Sequence, residues 1–136
     1  MKGWVFLAIA FVLATPPRSS RAQDDASAKR VMNEVVSAIR QADANALSKH
    51  FHRKLEVNLP PNAEGEYSKD QATFIFKEYF MNHPVDAFSL LHRGHSNDTH
   101  YAVGQYESAK GRFDVNIFIG KRDGTFIVEE IRFEKI

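Results

Sequence analysis

The chain has 136 residues, of which 43% are hydrophobic and 26% are charged, and its 18 Lys and Arg nearly balance its 17 Asp and Glu. Because the basic residues are scattered among acidic ones, the sequence has no basic stripe for a phosphate backbone, and we expect no nucleic-acid partner. The chain contains no cysteine. It must therefore be stable without disulfides, and it needs a hydrophobic core of its own.

Residues 1–22 have the features of a secretory signal peptide. Lys2 supplies a positive start, residues 4–14 form an apolar run, and a stretch with small residues ends at Ala22. The run is too short for a membrane-spanning helix, which needs about 20 apolar residues. We therefore predict cleavage after Ala22, no membrane span after cleavage, and a single domain over residues 23–136 that is periplasmic or secreted.

Two helices are predicted near the start of this domain. Apolar residues recur at helical spacing over positions 28–39, after Asp25 and Ser27, which are suitable N-caps. Charged side chains occupy the opposite side, so this helix is amphipathic. Asp43 is the predicted N-cap of a shorter helix over residues 44–51.

A strand and a third helix follow. Residues 54–59 alternate apolar and polar side chains, as a strand with one wet face does, and Pro60-Pro61 stops the strand. After a polar loop, Ser68 and Gln71 form a capping-box pattern at the start of a helix with a wide aromatic stripe. Pro84 closes this helix.

The rest of the chain has the period of two that is typical of strands. Asp123-Gly124 is a favoured hairpin turn before the last strand. Short connections imply antiparallel neighbours, so the predicted class is α+β, with N-terminal helices packed against a curved antiparallel sheet. The four predicted strands cover residues 86–93, 100–107, 112–119 and 125–134.

Several segments resemble a known family. ADANALSKHF, YSKDQA, HRGHS and FIVEEIRFE are similar to a family of small exported bacterial proteins of unknown function in the nuclear transport factor 2-like (cystatin-like) superfamily. The resemblance implies a cone-shaped fold, in which a bent sheet wraps the helices, leaves a cavity at the wide end and often uses its outer face for dimers. The superfamily includes isomerases, dehydratases and members without known catalysis, so the resemblance leaves the function open.

Three histidines lie close together in the first predicted hairpin, at His92, His95 and His100. A turn over residues 94–99 would place His92 and His100 on opposite faces, with His95 in the turn. A zinc site needs three or four ligands that converge on one ion. We therefore expect no metal site, and nothing in the sequence calls for a cofactor.

Two other histidines are expected at helix ends. His50 follows the second predicted helix and His83 follows the third. An imidazolium at either place would meet the negative end of the helix dipole, which is a structural role. A role for His50 at the mouth of the cavity remains the alternative.

The last hairpin decides where a site can lie. In a regular register counted from Asp123-Gly124, Ile117 pairs with Glu130 and Val115 pairs with Arg132. This register puts Glu130 and Arg132 on the apolar, inward face of the sheet. Two charged side chains on such a face would indicate a ligand pocket.

Five residues make up the predicted ligand-binding site: Tyr79, Tyr101, Gln105, Glu130 and Arg132. A carboxylate, a guanidinium and phenols in an apolar pocket can orient a small, partly apolar ligand. If the protein is an enzyme, Glu130 is the candidate base and Tyr101 is the candidate hydrogen-bond donor to a developing oxyanion.

A β-bulge at Glu129-Glu130 would reverse this arrangement. Ile131 and Phe133 would then turn inward, and Glu130 and Arg132 would form an ordinary surface pair. We favour the bulge because it buries two large apolar side chains. Without the bulge, an apolar patch on the outer face would offer a dimer surface, formed by Phe118, Ile127, Ile131 and Phe133.

Two functions remain open at this stage. The sequence contains no recognisable nucleophile or metal-ligand set, so we expect an exported, non-catalytic domain that binds a small, partly apolar molecule or another copy of itself. The alternative is a cavity acid–base enzyme of isomerase or dehydratase type, which would act on a small, partly apolar substrate.

Overall fold

The computed structural model describes residues 20–136. Its helices are α1 (Ser20–Arg40), α2 (Ala44–Ser48) and α3 (Lys69–Asn82). Its strands are β1 (Phe51–Leu59), β2 (Ala63–Ser68), β3 (Ala87–Ser96), β4 (Thr99–Ser108), β5 (Gly111–Arg122) and β6 (Thr125–Lys135). Most of the predicted signal peptide, residues 1–19, lies outside the described residues. None of the described helices combines the length and apolar character needed to cross a membrane.

The six strands form one open sheet in the order β2-β1-β6-β5-β4-β3. All neighbouring strands are antiparallel except β1 and β6, which are parallel. The predicted α+β class, with N-terminal helices against a curved and mostly antiparallel sheet, is confirmed. The loop predicted after β1 is wrong in part, because Ala63–Ser68 pairs with β1 as an edge strand.

The predicted caps of α2 and α3 are confirmed. The Asp43 carboxylate accepts a hydrogen bond from the backbone N–H of Ala46 at 3.0 Å. At the start of α3, the backbone N–H of Gln71 donates to Ser68 Oγ at 3.2 Å, and the backbone N–H of Ser68 donates to Gln71 Oε1 at 3.1 Å. These reciprocal bonds satisfy two N–H groups that the helix leaves without an internal partner.

Two helix boundaries differ from the prediction. α1 begins at Ser20, so Asp25 and Ser27 lie inside the helix and are not its caps. α2 ends before Phe51, which begins β1. Phe51 is buried there and pairs with Val128 of β6. Burial in the sheet therefore outweighs the local tendency to continue the helix.

A β-bulge interrupts the pairing of β5 with β6. Phe118 pairs with Glu130, whereas the next residue, Ile119, pairs with Val128, so Glu129 is the extra residue. The bulged register is confirmed, and the regular register that placed Glu130 inward is wrong.

Burial explains why the bulge forms. Ile131 and Phe133 are 0% exposed, whereas the regular register would have placed both on the outer face. Burying a large apolar side chain stabilises a fold by about 1.5–3 kcal/mol. The regular register would also have taken the charges of Glu130 and Arg132 out of water, which carries a desolvation penalty.

Aromatic side chains fill the interior between α3 and the sheet. The ring centroids of Tyr79 and Tyr106 lie 5.2 Å and 5.3 Å from that of Phe133, and the Phe76 centroid lies 6.5 Å from it. All four side chains are buried. The region around Tyr79 is therefore a packed core and not a ligand cavity.

Candidate functional site

Four of the five predicted site residues lie on the outer face of the sheet. Arg132 and Glu130 form an ion pair there, with 2.6 Å between Nη2 and Oε1. Tyr101 and Gln105 point the same way along β4, opposite to the buried Ala102. The sheet therefore separates these four side chains from the core.

Tyr79, the fifth predicted residue, lies on the inner side of the sheet. Its ring stacks on that of His83, with the centroids 4.1 Å apart. Burial, with a smaller effect of Tyr106, raises the pKa of the Tyr79 hydroxyl, which stays protonated at neutral pH. The predicted convergence of the five residues on one inward pocket, with Glu130 as its base, is wrong.

A cleft of about 370 Å³ lies between α1 and the β3–β4 hairpin. Ala28 and Met32 of α1 give it an apolar wall, and both side chains are buried. The volume is within the range of small-ligand pockets, roughly 300–1,000 Å³. The lining residues are Asp25, Ala28, Lys29, Met32, Arg93, Gly94, His95, His100 and Tyr101.

Tyr101 is the link between the predicted site and this cleft. Of the five predicted residues, all of which the structure describes, only Tyr101 lines the cleft. Its ring lies across Gly94, at the edge of the sheet, where a Cβ would collide with the Tyr101 hydroxyl. The glycine therefore allows the Tyr101 ring to lie against the outer face of the edge strand.

The hairpin presents two histidines side by side. His95 and His100 pair directly across β3 and β4, and their ring centroids lie 5.4 Å apart. The turn between the strands is Asn97-Asp98, and Asn97 has a φ of 56°, as tight hairpin turns require. The longer turn predicted over residues 94–99 is wrong, and His95 lies in a strand.

His100 and His92 lie on opposite faces of the hairpin, as predicted. The His100 ring meets the Phe126 ring edge-on at 5.4 Å, and its Nε2 lies 4.0 Å from Oδ1 of Asp25. On the outer face, Nε2 of His92 lies 3.3 Å from the Tyr101 hydroxyl. Within residues 20–136, no group of three or more His, Asp or Glu side chains is placed to hold a metal ion.

Two cations approach the cleft from opposite sides, Lys29 from α1 and Arg93 from β3. Nη2 of Arg93 donates to Oδ1 of Asn33 at 2.5 Å, which orients the guanidinium between strand and helix. Lys29 has no ion-pair partner among the described residues. Asp25 is the acidic residue in the wall, so the cleft is net positive even with both imidazoles neutral.

His50 makes structural contacts outside this cleft. Its Nε2 lies 3.0 Å from Oε2 of Glu34, and its backbone carbonyl accepts a hydrogen bond from Val128 at 2.6 Å. Burial is the largest influence and lowers the pKa of His50, assisted by Lys49 and opposed by Glu34. His50 therefore joins α1 to the start of β1, and it is not among the residues that line the cleft.

Sequence reasoning missed the cleft for two reasons. The first reason is that we predicted a longer turn over residues 94–99. A two-residue turn at Asn97-Asp98 would have placed His95 opposite His100. No local pattern could have brought Lys29 to these histidines, because the helix and the hairpin meet only in the tertiary structure.

Solved structures with a similar fold include two from Bacteroides. A DUF4783 family protein from Bacteroides ovatus ATCC 8483 is 25% identical, with a TM-score of 0.71 over 76% of this chain and 93% of that one. A DUF4783 family protein from Bacteroides uniformis ATCC 8492 is 25% identical, with a TM-score of 0.72 over 76% of this chain and 95% of that one.

A more distant structure has the same fold. It is an NTF2-like protein of unknown function from Silicibacter pomeroyi DSS-3, 15% identical, with a TM-score of 0.59 over 85% of this chain and 98% of that one. No curated protein matches the chain significantly. The family model described as "Domain of unknown function (DUF4783)" matches residues 32–134, which is more than half of the chain. The chain therefore belongs to this family of unknown function, and its fold is of the nuclear transport factor 2-like type.

Proposed function

We propose that the protein is an exported, non-catalytic binding domain that takes a small, partly apolar anion in the cleft between α1 and the β3–β4 hairpin. The observation that carries the proposal is the division of the cleft into two kinds of wall. Its floor is formed by Ala28 and Met32, which are almost fully buried, while Lys29 and Arg93 supply positive charge from opposite sides. A ligand with an apolar body and one carboxylate matches both walls.

The charges of the cleft favour an anion over a cation. Lys29 and Arg93 carry two positive charges against the single negative charge of Asp25. His95 and His100 can each donate a hydrogen bond from a ring N–H. Because the walls exclude part of the solvent, an anion between these groups is attracted more strongly than it would be in water.

For the acid–base enzyme alternative, the predicted base lies outside the cleft. A general base must lie within hydrogen-bond reach of the substrate. Glu130 is paired with Arg132 on the outer face of the sheet. Tyr79 is buried among aromatic rings and stays protonated. Neither Glu130 nor Tyr79 lines the cleft, which supports binding there over catalysis by Glu130.

Titration of isotope-labelled protein with three eight-carbon probes tests the proposal by NMR. Octanoate is expected to shift the amide signals of Lys29, Arg93 and His100, whereas uncharged octanol binds more weakly and octylamine binds most weakly. Lys29→Gln should weaken octanoate binding about fivefold, the value of one exposed ion pair. Lys110→Gln is the matched control, because Lys110 is an exposed turn residue that does not line the cleft.

Two results would contradict the proposal. The first is octylamine binding as tight as octanoate binding, which would remove the role of charge. The second is octanoate shifts that map away from α1 and the hairpin.

The export part of the proposal rests on the pattern of residues 1–22. Cleavage after Ala22 would keep the contacts that tie the start of α1 to the sheet. The Lys121 ammonium lies 3.0 Å from Asp24, and His100 lies 4.0 Å from Asp25. Intact-mass measurement of the protein recovered from a bacterial periplasm or medium should give a chain that starts at Gln23. Full-length protein confined to the cytoplasm would contradict export.

A further inference from the structure

The solvent-facing side of α3 carries two large apolar side chains. Phe74 is 61% exposed and Met81 is 78% exposed. They are seven residues apart, which corresponds to about two helical turns, so they lie along one line on the helix. An exposed apolar pair aligned on one helix face is a candidate partner surface.

Two charged residues lie between them on the same face. At 3.6 residues per turn, Phe74, Lys77, Glu78 and Met81 fall within about 100° of the helix circumference. Lys77 and Glu78 are exposed. Neither has an ion-pair partner among the described residues.

This face is complementary to itself. In an antiparallel second copy of α3, with a twofold axis between Lys77 and Glu78, Phe74 lies opposite Met81. The same axis places Lys77 opposite Glu78, and each contact occurs twice, as in any isologous interface. We propose that the protein forms a twofold dimer through this α3 face, defined as Phe74, Lys77, Glu78 and Met81.

A cleft of about 500 Å³ between α2 and α3 provides a seat for the partner's aromatic ring. The lining of this cleft is mixed, with Ala42, Ala44, Phe80 and Met81 as apolar residues and Gln41, Asp43, Asn45 and Lys77 as polar ones. The cleft lies at the Met81 end of the α3 face, where the antiparallel arrangement brings Phe74 of the second copy. The ring of Phe74 therefore packs beside Met81 as a side chain inserted into a hole.

Phe74 and Met81 on the α3 face are more exposed than the apolar residues that we predicted for a dimer surface on the outer face of the sheet. The bulge in β6 buries Ile131 and Phe133, which the regular register would have added to the outer face. Phe118 and Ile127 remain on that face, and both are half-buried. Dimerisation through α3 leaves the cleft between α1 and the β3–β4 hairpin open, so it does not rest on ligand binding.

Sedimentation equilibrium of the purified protein tests the dimer. The face is small, below the roughly 1,200 Å² of a standard interface, so we expect a dissociation constant of about 10–1,000 μM. Phe74→Ala should weaken the dimer at least about tenfold, as loss of an aromatic anchor does. Leu91→Ala is the matched control, since it removes an apolar side chain that is 58% exposed on β3, and it should have no effect.

Charge exchange across the twofold axis gives a sharper test. Lys77→Glu and Glu78→Lys each place like charges opposite one another and should weaken the dimer about tenfold. An equimolar mixture of the two variants restores both opposite-charge pairs and should associate as tightly as the original protein. The double variant Lys77→Glu/Glu78→Lys also restores the pairs and replaces the mixture if either single variant fails to fold by circular dichroism.

Three results would overturn the proposal. They are a monomer at about 1 mM, a dimer that Phe74→Ala does not weaken, and failure of both the mixture and the double variant to restore association. A dimer that depends on Phe74 and recovers on charge exchange supports the α3 face.

Discussion

Two buried tyrosines in the same aromatic cluster should respond in opposite ways to loss of their hydroxyl groups. The Tyr106 hydroxyl donates to the backbone carbonyl of His83 at 2.5 Å. The Tyr79 hydroxyl is buried and has no hydrogen-bond partner among the described residues. Tyr106→Phe removes a hydrogen bond and leaves a carbonyl unpaired, whereas Tyr79→Phe removes an unpaired polar group.

The expected magnitudes follow from these contacts. A buried hydrogen bond contributes about 0.5–1.5 kcal/mol net, and an unpaired buried polar group costs about 1–3 kcal/mol. Tyr106→Phe should therefore lower the free energy of unfolding by about 1–2 kcal/mol. Tyr79→Phe should raise it by up to about 1 kcal/mol, because both rings keep their packing.

Urea unfolding followed by circular dichroism measures this difference. With an m value of about 2 kcal/mol/M, the midpoints of the two variants should differ by about 1 M. Wild-type protein and both variants must have the same m value, so that the midpoints report stability alone. A loss of stability in Tyr79→Phe as large as that in Tyr106→Phe would refute the reasoning, because it would require a hydrogen bond at the Tyr79 hydroxyl.

Alkaline pH provides a second readout of the same pair. Burial raises the folded-state pKa of Tyr79 and of Tyr106 above the unfolded value of about 10. When the pKa of a group is higher in the folded protein than in the unfolded chain, the group's contribution to the free energy of unfolding is complete below the unfolded pKa. This contribution is lost as the pH rises above the unfolded pKa. Wild-type protein should therefore lose stability above about pH 10, and each Phe variant should lose less.

Three further predictions concern other parts of the molecule. The folded-state pKa of His50 is lower than its unfolded value of about 6.5, so its contribution to the free energy of unfolding is complete above this value and is lost as the pH falls below it. His50→Gln should therefore make the urea midpoint decline less steeply toward pH 5. Glu130→Gln should change stability by less than about 0.5 kcal/mol and leave octanoate binding unchanged in the NMR titration, which an inward catalytic Glu130 would not allow. Ser68→Ala should lower the free energy of unfolding by about 1 kcal/mol in urea, and an unchanged midpoint would mean that the capping box adds nothing.

The two proposed surfaces use different elements, so they can be tested independently. The cleft is formed by α1 and the β3–β4 hairpin, whereas the α3 face lies on a different helix. Lys29→Gln should affect octanoate binding without affecting association, and Phe74→Ala should have the opposite effect. A variant that changed both properties would indicate a general loss of folding.

Features set by neighbouring residues could be predicted from the sequence. The capping box at Ser68 and Gln71, the N-cap at Asp43 and the Asp123-Gly124 turn all depend on contacts within a few positions. The period of the apolar residues identified the four C-terminal strands for the same reason. Local geometry and hydrophobic periodicity therefore determined the fold class.

The tertiary structure alone decided the site. Strand β2 has few apolar residues and becomes a strand only because β1 offers it backbone hydrogen bonds. The bulge at Glu129 forms because it lets the core bury Ile131 and Phe133. The free energy gained by this burial depends on distant parts of the chain, so a short segment of sequence does not reveal it. Lys29 and His100 line the same cleft only because helix and hairpin pack together. A shift of one residue in a strand reverses which face each side chain occupies, so long-range burial, rather than local pattern, determined which polar residues share a cleft.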